Sequence, residues 1–190
     1  INTGICMVNH LSGLVNLVVL KSDADMGIAG PIWDLSGYVV SDIAKRGEAA
    51  LTLSGANTFA GRLTVEEGTL ALGSDVALPE FAPLTLAGGT LSCGDYDNAT
   101  GALTLSGDAT IEIGDGSIAF ADSSAETWTS GATLNITGPE SLDTKPVRFG
   151  TSEGGLAAAQ RKAIRYNGQC ASLDENGYLQ GPKGLVITFH

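Results

Sequence analysis

Between Leu51 and Gly73 the chain reads LTLSGANTFAGRLTVEEGTLALG. Its apolar residues come in alternating pairs: Leu51 with Leu53, Leu63 with Val65, Leu70 with Leu72. Small or turn-forming residues separate the pairs. Alternation at period two marks a strand with one buried face. The same grammar returns over 84–94 (LTLAGGTLSCG) and over 103–114 (LTLSGDATIEIG). The tripeptide Gly-Thr-Leu starts at Gly68 and again at Gly89, 21 positions on. A repeat of that length is one coil of a solenoid, in which each coil covers the apolar face its neighbour cannot bury alone.

The fold class expected is all-β: a parallel β-solenoid, closed by a short C-terminal helix and a final strand. Inward positions are Leu63, Val65, Leu70, Leu72, Leu84, Leu86, Leu91, Cys93, Leu103, Leu105, Ile111, Ile113, Ile118, Phe120, Leu134 and Ile136. Their strand partners Thr64, Thr69, Thr85, Thr90, Thr104, Thr110 and Thr133 point to solvent, where a β-branched polar side chain suits a strand. Gly68, Gly73, Gly88, Gly89 and Gly114 fall where the coil turns sharply. An antiparallel sandwich of hairpins is the competing architecture. The even spacing of short strands favours the solenoid.

Three regions follow. Residues 1–50 hold irregular strands or first coils, at Ile5–Val8, Leu14–Leu20 and Tyr38–Val40, with turns at Asp23–Asp25, Gly30–Pro31 and Ser36–Gly37. Residues 51–146 are the repeat body. Residues 147–190 are a closing segment. Within it, the Ala-rich run predicts a helix over 154–166, started by Thr151 or Ser152 and ended by Asn167–Gly168. A last strand is expected at Gly184–Phe189 (GLVITF).

Composition narrows the partners. The 190 residues carry a net charge of −11, with a pI near 4.4. Such a surface repels phosphate backbones and anionic lipid, so no nucleic acid is expected. No apolar run approaches the ~20 residues of a membrane-spanning helix, so no membrane insertion is expected. The three cysteines, Cys6, Cys93 and Cys170, lie far apart without zinc spacing, which predicts no metal site and no cofactor. Cys93 takes the slot that Leu72 fills one repeat earlier and reads as a small hydrophobe. A Cys6–Cys170 disulfide is the less favoured arrangement. The chain starts at Ile1 without methionine and reads as a piece of something longer.

Several patterns imitate active sites. Gly150-Thr151-Ser152-Glu153-Gly154 matches the G-x-S-x-G nucleophile elbow, with Asp174 and His190 following in hydrolase order. That elbow needs a parallel sheet flanked by helices, which the upstream chain does not supply, so Ser152 reads as a cap residue. Asp95, Asp97, Asp108, Glu112, Asp115 and Asp122 gather in the turns. Around Asp95 the Gly and Glu of a calcium loop are missing, so these acids read as solvated. Acids stacked on neighbouring coils, Glu112 with a partner, would suit polysaccharide cleavage. The scattered cations give no base to face them. Trp33, Trp128 and the tyrosines read as plugs in preference to sugar platforms. His10 has no evident partner, and the sequons at Asn98 and Asn135 read as silent. No catalytic, cofactor-binding or metal-ligating residue is therefore assigned, and no enzyme activity is expected.

Residues 47–78, GEAALTLSGANTFAGRLTVEEGTLALGSDVAL, are similar to the autotransporter-associated β-strand repeat of secreted passenger proteins. Residues 147–179, VRFGTSEGGLAAAQRKAIRYNGQCASLDENGYL, resemble the closing segment of such proteins. The resemblance implies an exported right-handed β-solenoid (β-helix) at the bacterial surface, displayed at or beyond the outer membrane. It does not imply an activity. No translocator barrel follows in this sequence, a departure from the passenger pattern. The expected function is a structural or adhesive surface module. Its partners would be other parts of a longer parent protein, copies of itself, or glycans. The alternatives are a polysaccharide-binding or polysaccharide-cleaving fragment and a self-assembling fibre subunit.

Overall fold

Alternating side chains give each short strand one face to bury, and coiling in parallel lets one chain bury it repeatedly. The computed structural model describes residues 5–7, 17–34 and 41–181, the first three by backbone alone. It is a β-solenoid of about five turns. Its turns contribute to three parallel sheets, the first, second and third faces.

The first face holds Leu17–Lys21, Asp42–Arg46, Leu63–Val65, Leu84–Leu86 and Leu103–Leu105. Ile43 stacks on Leu63, Leu63 on Leu84 and Leu84 on Leu103, in steps of 20, 21 and 19 residues. The second face runs from Met26–Ile28 and Ala50–Leu53 through Thr69–Leu72, Thr90–Gly94, Ala109–Ile113 and Leu134–Thr137 to Ile164–Tyr166. A single column of side chains threads it: Leu51, Leu70, Leu91, Ile111, Ile136, Tyr166. The third face holds Asp97–Thr100, Ser117–Phe120 and Val147–Phe149. There Phe120 and Phe149 stack with ring centroids 5.0 Å apart. Ile5–Met7 pairs separately, in parallel, with Ile32–Asp34.

Each inward residue read from the sequence is buried. Burying one Leu side chain contributes about 1.5–3 kcal/mol, so a column of six carries a large share of the driving force. The outward threonines are half-buried, with one exception. Thr85 is buried, because the Arg62 guanidinium lies over it and donates to the hydroxyls of both Thr85 and Thr104.

Corners need polar solutions, because a bending strand leaves ladder hydrogen bonds unmade. Two buried asparagines supply them. Asn57 accepts from Ile32 N at 2.7 Å and donates to Ala77 O at 2.7 Å, tying three successive turns. Asn98 repeats the device, accepting from Leu78 N and donating to Ser74 O. Gly47 and Gly68 adopt positive φ at stacked corners, and a Cβ on Gly68 would strike the Gly47 carbonyl.

The closing segment differs from its sequence reading. The helix expected over 154–166 is a 3-10 turn at Glu153–Gly155 followed by an α-helix at Ala158–Ala163 only. Ile164–Tyr166 is instead a strand, because Ile164 and Tyr166 continue the columns of Leu134 and Ile136. Burial in the stack outweighs helix propensity there. Asn167 and Gly168 both have positive φ. They do not cap a helix but turn an antiparallel hairpin onto Gln169–Cys170, as an Asn-Gly pair favours. A second small hairpin pairs Ser172–Leu173 with Leu179–Gln180. The readings at Val8, His10, Leu14–Asn16, Ser36–Gly37, Tyr38–Val40, Gly184–Phe189 and His190 lie outside the described residues.

Leu70→Ala, which opens a cavity in the central column, is expected to destabilise the protein by about 2–5 kcal/mol. Asn57→Ala, which strands a buried N–H and a buried carbonyl, is expected to cost about 1–3 kcal/mol for each group left unpaired. Thr69→Ala on the outer surface should stay within about 0.5 kcal/mol. Urea denaturation of the three variants checks this order.

Candidate functional site

Lys45 occupies an inward slot. Its register partner on the next coil is Val65, and Leu86 and Leu105 follow in the same column. Its side chain is fully buried, yet its ammonium is well partnered. Nζ curls to the corner and donates to Gly47 O at 2.6 Å, Glu67 O at 2.8 Å and Arg46 O at 3.2 Å. An ammonium has three protons, and three carbonyls receive them. Burial pushes the Lys45 pKa down, and the charge of Glu67 partly opposes that. The group acts as a tethered cation that gathers carbonyls at the corner between the first and second faces.

Two acidic residues complete this corner. Arg46 meets Glu66 in a two-point pair, Nε to Oε2 at 2.6 Å and Nη2 to Oε1 at 3.0 Å. The hydrogen bond from Arg46 holds the Glu66 carboxyl below its usual range. Glu67 accepts from the Gly47 backbone N–H at 3.0 Å. Ser22 packs against the same corner, its N–H donating to Arg46 O at 3.0 Å and its hydroxyl to Ala49 O at 2.9 Å. The chemistry of this corner is cohesion between coils.

The same device recurs along the turns. Asp25 accepts from Ala50 N, Asp34 from Ala60 N and Asp42 from Arg62 N. Asp75 accepts from Asp97 N, Asp95 from Asp115 N and Asp108 from Thr133 N. Each acid reaches one coil onward, to a backbone N–H that the bend leaves outside the ladder. Of the turn acids read as solvated, Asp95, Asp97 and Asp108 are therefore inter-coil fasteners, whereas Asp122 accepts from Ser124 N within its own turn. Among the described residues no three His, Cys, Asp or Glu side chains gather as a metal site. Glu112, the candidate for stacked acids, lies in register with Ser92 and Thr137, neither of them a carboxylate.

The remaining candidates are also placed. Ser152 Oγ accepts from Gly154 N at the 3-10 turn, the capping role read from the sequence. Asp174 accepts from Asn176 N and Tyr178 N within its own loop. Trp128 plugs a gap, its indole N–H donating to Leu103 O. Asn98 is buried with its amide engaged, so its sequon is closed to modification in the folded state. Cys93 is a buried free thiol and Cys170 an exposed one, while the side chain of Cys6 lies outside the described residues. Burial pushes the Cys93 thiol up to about 12. Among the described residues no helix is long and apolar enough to cross a membrane. Sequence reasoning missed Lys45, Asn57 and the fasteners. For Lys45 a signal existed: a cation in the slot that later coils fill with Val or Leu.

Two outcomes follow. A thiol reagent at neutral pH should label Cys170 at once and Cys93 only after denaturant is added. Glu66 has a folded pKa depressed from 4.5, so its contribution is present above that value and lost as pH falls through the folded pKa. Between pH 5 and pH 3 the wild type should therefore lose more stability than Arg46→Gln, as read by melting temperature.

Residues 43–72 match the family model of the passenger-associated-transport-repeat. The match opens on the strand bearing Lys45, takes in the Arg46–Glu66 and Gly47–Glu67 contacts, and closes on Leu72, so it spans one full step of the stack. The comparisons with curated proteins and with solved structures returned no match. Within its β-solenoid the chain thus carries a segment that matches a passenger-associated transport repeat, as an autotransporter passenger would.

Proposed function

We propose that this chain is a structural or adhesive module of an exported bacterial surface protein, acting as a stiff scaffold and not as an enzyme. The observation that supports the reading is the coincidence of the transport-repeat match at residues 43–72 with an in-register parallel stack. Coils that can each bury their inward face only against a neighbour suit export. A chain passing a membrane in extended form can add one coil at a time to an existing stack. The mechanism is geometric: stacked coils hold loops at fixed spacing away from the cell. The outer surface is acidic and rich in Thr, which keeps such a rod soluble.

Localisation tests this. Intact producing cells are treated with an external protease and then probed with antibody against the chain. The expected result is loss of the signal on intact cells while a cytoplasmic marker survives. A signal that fractionates with the cytoplasmic marker and resists the protease until lysis would remove the export reading.

A further inference from the structure

The three faces differ on their outer side. The first and second present Thr64, Thr85 and Thr104, and Thr69, Thr90 and Thr110. The third presents alanine on two coils and a cation on the next: Ala99 stacks on Ala119 and Ala119 on Arg148 in register, and Ala121 is exposed beside them. Next to this floor stand two large exposed apolar side chains, Phe81 at 83% and Val76 at 52%. Val76 borders one shallow depression and Phe81 the next, and the two adjoin across successive turns through the shared Glu80 and Ala99 to make a groove. Asp75, Glu80, Asp97 and Asp122 rim it, with Arg148, the single cation among the described residues lining it, at the end nearer the cap.

Charge is distributed unevenly along the chain. Residues 41–122 hold three Lys or Arg against twelve Asp or Glu, a net −9, whereas residues 145–190 hold six against three, a net +3. The cationic end displays the Ala158–Ala163 helix, on which Ala158, Ala159 and Lys162 are exposed. That helix surface is small and basic; the groove is small-floored, aromatic-edged and, with four carboxylates to one Arg148, net acidic. In its own molecule the helix is anchored elsewhere, by Gln160 Nε2 on Ser123 O and Glu126 O.

We propose that copies of this chain associate through the groove, the cap helix of one copy lying on the alanine floor of the next beside Phe81, with Lys162 among the rim carboxylates. A groove-to-groove dimer would set acid against acid. The cap-to-groove contact pairs opposite charges, and being heterologous it leaves each copy with one free groove and one free cap, so it propagates. The proposal does not rest on the export reading. A contact of this size is small, which places it in the weak, salt-sensitive class.

Sedimentation equilibrium of the purified chain tests it, between about 20 µM and 1 mM, the range suited to a weak interface. At low salt the average mass should rise above 19.3 kDa with concentration, and 0.5 M NaCl should reverse the rise. Phe81→Ser and Lys162→Glu both alter exposed side chains, and unchanged melting temperatures would show intact folding. Each should weaken association by about tenfold or more. Mixed, the first retains a cap and the second a groove, so the pair should form a heterodimer that stops there. A strictly monomeric wild type overturns the proposal. So does association that neither variant weakens, or a mixture that stays monomeric while the wild type assembles.

Discussion

The structure depends on one contact repeated: an inward side chain resting on its equivalent one turn later. Leu51, Leu70, Leu91, Ile111, Ile136 and Tyr166 form such a column, and no member is buried without the next. The column sets the register, and everything else yields to it. Between Ile111 and Ile136 the step lengthens to 25 residues, and between Ile136 and Tyr166 to 30. In both cases the added chain leaves the stack as a turn or short helix, and the column continues. Lengthening a loop costs little, since closure entropy grows only slowly with length, whereas a slip of one residue would turn every apolar side chain outward.

Stacking solves the faces and leaves the corners. There the backbone bends out of the ladder, and its N–H and C=O groups must find other partners. Carboxylates at the turns accept the N–H groups one coil on, at Asp25, Asp42, Asp75, Asp95 and Asp108. Asn57 and Asn98 serve both donor and acceptor at once. Lys45 treats the opposite case, a cluster of carbonyls, with an ammonium. Part of the charge of −11 is thus structural.

The faces were legible in the sequence because side-chain period maps directly onto burial. Leu63, Val65, Leu84 and Leu86 declare their orientation by alternation alone. The corners were not legible, because an Asp that fastens two coils and an Asp that only faces water look the same along the chain. What separates them is a partner about 20 residues away, visible only once the register is known. The cap misled for a related reason. Ala158–Ala163 and the residues beyond it share good helix propensity, but Ile164 and Tyr166 have a column to join. The Ser152 elbow is the reverse case: a local match to an active-site pattern whose hydroxyl is occupied by its own turn.

The transport-repeat match, residues 43–72, lies inside the stack, so the functional reading depends on the parallel register there. Engineered cross-links test that register most directly. In a cysteine-free background, Thr69→Cys with Thr90→Cys, and Thr90→Cys with Thr110→Cys, place thiols on register partners of adjacent coils. Neighbouring strands lie about 4.8 Å apart, within the Cα separation a disulfide bridges. The pair Thr69→Cys with Thr110→Cys spans two coils, about 10 Å, beyond that reach. The account predicts rapid oxidation of both adjacent pairs in the native state and none of the two-coil pair. Failure of the adjacent pairs to close, or equal closure of the two-coil pair, would contradict it.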